Sequence, residues 1–149
     1  MLIENELQMR ALGAAVISAC ETGGVITLQG NLGTGKTTLV RGALEARGIT
    51  TGVRSPSYTL IEYYQLDKLA VAHFDLYRLG DGEELEYIGY RDYLNTQTLC
   101  FIEWPERAEG YLTNIGLEIN LQTRGEKREI ELQSGNDWGQ EILRKLSLT

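Results

Sequence analysis

The chain has 149 residues, 42% hydrophobic and 23% charged, ordinary proportions for a globular domain with a core of its own. Its 21 acidic residues outnumber 14 basic ones, giving a net charge of −7. That balance excludes nucleic-acid binding through a broad electropositive face and leaves open RNA chemistry carried out through partner proteins.

In chain order, residues 1–21 read as an amphipathic helix with Leu7, Ala11, Ala14, Ala15 and Ser18 on one face. Thr22-Gly23-Gly24 ends it, and Val25-Ile26-Thr27-Leu28 follows as a short β-branched run suited to a buried parallel strand. Next comes GNLGTGKTT, with Gly30 and the pair Gly35-Lys36 at the spacing of a P-loop, and Thr37 completing the motif. The glycines let successive backbone N–H groups turn toward phosphate oxygens, so Asn31, Leu32, Gly33, Thr34, Gly35, Lys36, Thr37 and Thr38 are the candidate phosphate cradle. Lys36 supplies a point charge for the β- and γ-phosphates, and the Thr37 hydroxyl can ligate Mg²⁺. Residues 36–47 then read as a helix capped by Gly48, whose N-terminus adds partial positive charge beneath a phosphate.

The segment Arg54-Ser55-Pro56-Ser57-Tyr58-Thr59 has two readings. Ser55, Ser57 and Thr59 could sense a γ-phosphate as a switch segment, or the proline could simply turn the chain into the next strand. Residues 58–65 and 69–74, with Asp67-Lys68 between them, form a hairpin signal. After the Gly80-Asp81-Gly82 loop, residues 83–94 fit one helix that carries Tyr87, Tyr90 and Tyr93. Residues 99–102 are the most apolar strand candidate, and residues 117–121 and 128–132 flank a turn at Arg124-Gly125-Glu126. The cluster Arg124, Lys127 and Arg128 reads as a solvated hairpin tip, and residues 138–148 show helical spacing.

These elements add up to one domain over residues 1–149: a three-layer α/β fold of P-loop NTPase type, with a mixed sheet flanked by helices. No run approaches a membrane span, and Glu4, Glu6 and Arg10 do not suit a signal peptide, so a cytoplasmic protein is expected. Cys20 and Cys100 read as reduced core residues, and the single histidine, His73, lacks evident partners for a metal site. Two acids stand at the ends of apolar strands, where an uncompensated charge is costly: Asp75 and Glu103. A P-loop ATPase needs such an acid for Mg²⁺, and either residue could supply it.

GNLGTGKTTLVRG, SPSYTLIEYY, HFDLYRL, EELEYIGYRDYL and FIEWPER occur in the order and spacing of the bacterial TsaE (YjeE) family, and the chain resembles that family over roughly residues 7–112. The resemblance implies an ATPase, using ATP or ADP with Mg²⁺, that supports threonylcarbamoyladenosine formation in tRNA. It implies the partner proteins TsaD and TsaB, with tRNA engaged only through them and ATP turnover supporting repeated cycles. By position it implies Thr37 and Glu103 at the metal, Asp75 beside the γ-phosphate or attacking water, Trp104 next to the metal-site acid, and residues 55–59 as the switch-like segment. With Lys36, these acids form the expected catalytic set. Thr34, Ser57 and Thr113 depart from the family's usual alanine, threonine and proline, and none removes a catalytic group. No obvious arginine finger is present, so weak hydrolysis by the isolated chain is expected, with a partner completing the site. The tyrosine-bearing segment 83–94 is a candidate part of the docking face. Rival readings are a nucleotide-dependent adaptor without essential hydrolysis and a small-molecule P-loop kinase. The kinase would need an acceptor pocket and a lid, and no lid insertion is visible.

Overall fold

The computed structural model describes residues 1–50 and 60–147. The elements are β1 (Leu2–Ile3), α1 (Glu6–Ala19), β2 (Gly24–Gln29), α2 (Lys36–Glu45), β3 (Ile61–Gln65), β4 (Ala70–Asp75), α3 (Glu83–Tyr87), β5 (Thr98–Glu103), β6 (Ile115–Arg124), β7 (Lys127–Ser134) and α4 (Asp137–Leu146). Short 3₁₀ turns occupy Tyr90–Tyr93 and Pro105–Ala108. The strands form one mixed sheet in the order β1-β7-β6-β2-β5-β4-β3. The central strands β6, β2, β5 and β4 run parallel, while β1, β7 and β3 are antiparallel to their neighbours. The α/β expectation holds. α1, α2 and α4 cover one face through Val16, Ile17, Leu39, Leu44 and Ile142. The other face buries Phe74, Leu76, Leu85, Tyr90 and Ile102 beneath α3 and the 3₁₀ turns.

Two of the helices expected from sequence need correction. Residues 1–3 are not helical: β1 pairs with β7, and the Asn5 side chain caps α1 by accepting the Gln8 N–H. The buried stripe of α1 is Met9, Leu12, Gly13, Val16 and Ile17, spaced as one helical face. Leu7, Ala11 and Ser18 are exposed, because the larger side chains outcompete the alanine-rich face for the core. Close approach fixes the crossing with α2: a Cβ on Gly13 would lie 1.9 Å from the Leu39 carbonyl oxygen, and one on Gly42 2.1 Å from that of Arg10.

The segment 83–94 is likewise not one helix. It breaks at Gly89, whose φ of 78° leaves the right-handed helical region. The break separates the tyrosines: Tyr90 packs edge-on against Phe74 at 5.9 Å between ring centroids, whereas Tyr87 is 87% exposed. Both hairpins and the expected strands are present, except that positions 58 and 59 of the first hairpin lie outside the described residues. The two acids, however, are the last residues of β4 and β5 rather than residues following those strands.

Candidate functional site

The glycine loop joins the carboxyl end of β2 to the N-terminus of α2, at the point where β2 has parallel neighbours on both sides. In open α/β sheets this is where ligands bind. Register sets the acids around it: Glu103 pairs with Leu28 of β2 and also with Asp75 of β4. Both carboxylates therefore end adjacent strands beside the loop, and both are buried.

Gly35 caps α2 with φ 105°, a conformation open to glycine that lets the loop fold directly into the helix. Lys36 is only 5% exposed. Its ammonium donates to the Gly30 carbonyl and, at 3.3 Å, to that of Asn31. It also lies 3.8 Å from the centre of the Trp104 ring, within cation–π range. Burial lowers the Lys36 pKa from its usual 10.5, while the negative charges of Glu103, Glu106 and Asp75 push it back up. Thr37 Oγ1 stands 3.0 Å from Glu103 Oε2 and 3.2 Å from Oε1, donating its one proton to one oxygen at a time. Asp75 Oδ1 accepts the Tyr77 N–H at 3.0 Å.

Trp104 adopts a left-handed φ of 59°, sparsely populated for a bulky side chain and costing of order 1 kcal/mol. This turn follows Glu103 directly and lays the indole between Lys36 and Tyr77, whose ring is 4.9 Å away. A cavity of about 420 Å³ opens here, lined by Gly33, Lys36, Thr37, Asp75, Glu103 and Trp104 among others. A second, of about 430 Å³, adjoins it across Gly33, Thr34, Gly35 and Thr38, walled by Ile3, Met9 and Arg128. A larger groove of about 720 Å³ lies between Tyr63, Asp92 and Thr98, at the amino ends of β4 and β5 and away from the loop.

Most residues expected at the site thus converge. Gly33, Thr34, Gly35, Lys36, Thr37, Thr38, Asp75, Glu103 and Trp104 line one cavity, with Leu32 on its exposed crest. Asn31 serves the loop itself, its carbonyl accepting the Thr34 hydroxyl at 2.8 Å as well as Lys36. Ser55, Ser57 and Thr59 lie outside the described residues. Sequence reasoning missed His73, which is fully buried with Nε2 2.5 Å from Glu103 Oε2, and Arg128, which reaches the Gly33 carbonyl at 3.1 Å. The first lies two residues before Asp75 on the same strand face, but only the β4–β5 register brings Glu103 to it. The second came from a hairpin tip expected to be merely solvated.

The donor set suits Mg²⁺ bound with a nucleotide. Among the described residues no three His, Cys, Asp or Glu side chains form a self-sufficient metal site. A hydroxyl and a carboxylate instead suit an Mg²⁺ shared with phosphate oxygens, and the adjacent buried ammonium suits the phosphates themselves. Fold and site together define a nucleotide-binding P-loop domain. The sequence model of the family described as threonylcarbamoyl adenosine biosynthesis protein TsaE matches residues 3–130, and the chain belongs to that family. The match extends into β7, beyond the motif-bearing stretch.

Relatives agree. The chain is 44% identical over 123 residues to the tRNA threonylcarbamoyladenosine biosynthesis protein TsaE of Haemophilus influenzae, covering 83% of this chain and 78% of that one. It is 36% identical over 127 residues to the protein of the same name from Bacillus subtilis, covering 85% and 79%. The crystal structure of Bacillus subtilis YdiB superposes with a TM-score of 0.82 at 29% identity, covering 99% of this chain and 93% of that one. No helix among the described residues is long and apolar enough to cross a membrane.

Proposed function

We propose that this chain is a Mg²⁺-dependent cytoplasmic ATPase that acts on a TsaD–TsaB complex in tRNA threonylcarbamoyladenosine biosynthesis, its turnover permitting repeated cycles of modification. The observation that carries this reading is the contact between Thr37 and Glu103 at the foot of the glycine loop, with Asp75 paired to Glu103 on the next strand. Thr37 and Glu103 would hold the metal, which would supply positive charge beside the phosphates. Lys36 opposes the β- and γ-phosphates from its buried position. Asp75 orients the attacking water, a duty that fits its place one strand farther from the loop than Glu103.

The test is multiple-turnover tRNA threonylcarbamoylation with purified TsaD, TsaB and the enzyme that forms the carbamoyl-adenylate, with ATP consumption followed in parallel. Adding the chain should sustain turnover and raise ATP hydrolysis above that of the chain alone. If modification proceeds identically without the chain, or the chain fails to bind TsaD–TsaB, the proposed role is wrong.

A further inference from the structure

We infer that His73 is a positioning residue for Glu103: its Nε2–H fixes the carboxylate so that Oε1 is the oxygen directed to the metal. The inference rests on the metal-site reading of Thr37 and Glu103 given above.

His73 and Asp75 lie two residues apart on β4 and therefore share a face of the sheet, the face on which Glu103 meets His73 from β5. His73 is 0% exposed and Glu103 3% exposed, so water does not compete for the contact between them. The separation of 2.5 Å between Nε2 and Oε2 requires one proton between the two atoms. His73 Nδ1 is buried and has no hydrogen-bond partner among the described residues. A proton on Nδ1 would be a stranded donor, so the ring proton belongs on Nε2, pointing at the carboxylate.

Oε2 is then committed twice, to His73 and to the nearer approach of Thr37 at 3.0 Å, whereas among the described residues Oε1 has only the longer Thr37 approach at 3.2 Å. A glutamate has three side-chain torsions, and a carboxylate left to rotate would present either oxygen in many orientations. Fixing one oxygen pre-orients the other. Partners of this kind, which orient a metal ligand without touching the metal, typically change metal affinity by about 10- to 100-fold when lost.

The amide nitrogen of glutamine can take the place of Nε2, whereas that of asparagine reaches only the Nδ1 position, so two polar variants of similar burial separate positioning from packing. The experiment measures ADP affinity by calorimetry with and without Mg²⁺, for wild type, His73→Gln, His73→Asn and His73→Leu, with thermal unfolding of each. Wild type and His73→Gln should show the same strengthening of ADP binding by Mg²⁺. His73→Asn and His73→Leu should lose about tenfold of it, with Mg²⁺-free ADP affinity unchanged. In a Glu103→Ala background, His73→Asn should have no further effect. If His73→Asn keeps the full Mg²⁺ effect, or if the loss follows thermal stability rather than the donor position, His73 is only a core residue and the inference is overturned. If wild type shows no Mg²⁺ effect at all, the metal-site reading fails, and the inference with it.

A readout independent of metal uses the protein's single histidine, which makes the assignment unambiguous in untagged protein. Nitrogen-15 spectra of the nucleotide-free chain should show the Nε2–H tautomer with a downfield ring proton. Glu103→Ala should shift that proton upfield. An Nδ1–H tautomer would refute the arrangement whatever the metal data show.

Discussion

Replacing Lys36 with methionine separates what the lysine does for the fold from what it does for a ligand. The side chain is 5% exposed, and methionine nearly matches its volume, so the substitution leaves little cavity. It removes the bonds to the Gly30 and Asn31 carbonyls and the contact with Trp104, but it also removes an ammonium that burial disfavours. These effects oppose each other, and the apoprotein should change in stability by no more than about 1 kcal/mol. Toward a nucleotide nothing compensates. A charged hydrogen bond nets about 1.5–3 kcal/mol, and one charge pair at about 4 Å with an effective dielectric near 20 is worth about 4 kcal/mol. Taking about 3 kcal/mol, ATP affinity should fall by roughly a hundredfold or more.

The sign of the pH dependence follows from burial. The folded chain holds the Lys36 proton less tightly than the unfolded chain does, so between the lowered value and 10.5 the unfolded state binds more protons. Wild-type stability relative to Lys36→Met should therefore rise as the pH approaches 10.5. Calorimetric titration with ATP and urea unfolding at several pH values check both parts. Retention of ATP affinity within about threefold, or a stability loss as large as the binding loss, would refute the reasoning.

Asp75→Asn should leave Mg²⁺–ATP affinity within about threefold and slow ATP turnover in the presence of TsaD–TsaB by about 100-fold, measured under saturating nucleotide. Gly13→Ala should cost at least about 2 kcal/mol in urea unfolding, since its Cβ would meet the Leu39 carbonyl oxygen at 1.9 Å and force α1 off α2. Cys20 and Cys100, whose thiol pKa values burial pushes up to about 12, should resist a disulfide-exchange reagent near pH 8 until the protein is unfolded.

Legibility in the sequence followed the physical origin of each feature. The central strands were readable because strands buried on both faces need continuous apolar runs, and Val25 to Leu28 and Leu99 to Ile102 provide them. The phosphate cradle was readable because its backbone turns demand glycine at fixed offsets. The burial stripe of α1 was misread because counting alanines weighs residues equally, whereas Met9, Leu12, Val16 and Ile17 bury far more area. The break at Gly89 was hidden inside a segment whose tyrosines repeat at intervals of three, one place where a single backbone angle decides the element. Asp75 and Glu103 stood out as acids ending apolar runs, but their side-by-side pairing depends on sheet register, which no local pattern encodes. His73 went unrecognised for the same reason. Its partner is 30 residues away and becomes a neighbour only when β4 aligns with β5.

The amino end of the chain joins the same construction. The amino terminus donates to the Ile130 carbonyl, and β1 pairs with β7 so that Ile3 lies beside Arg128. Arg128 in turn reaches Gly33 on the crest of the glycine loop. The first residues and the β6–β7 hairpin therefore brace the loop from the side opposite Glu103 and Trp104. Contacts from distant parts of the chain constrain the loop on both flanks, which limits how far its backbone must reorganise to bind phosphate. Seen this way, the hairpin cations expected to be a solvated tip divide into two kinds. Arg124 pairs with Glu129 at the exposed end of the β6–β7 hairpin, while Arg128 reaches the glycine loop.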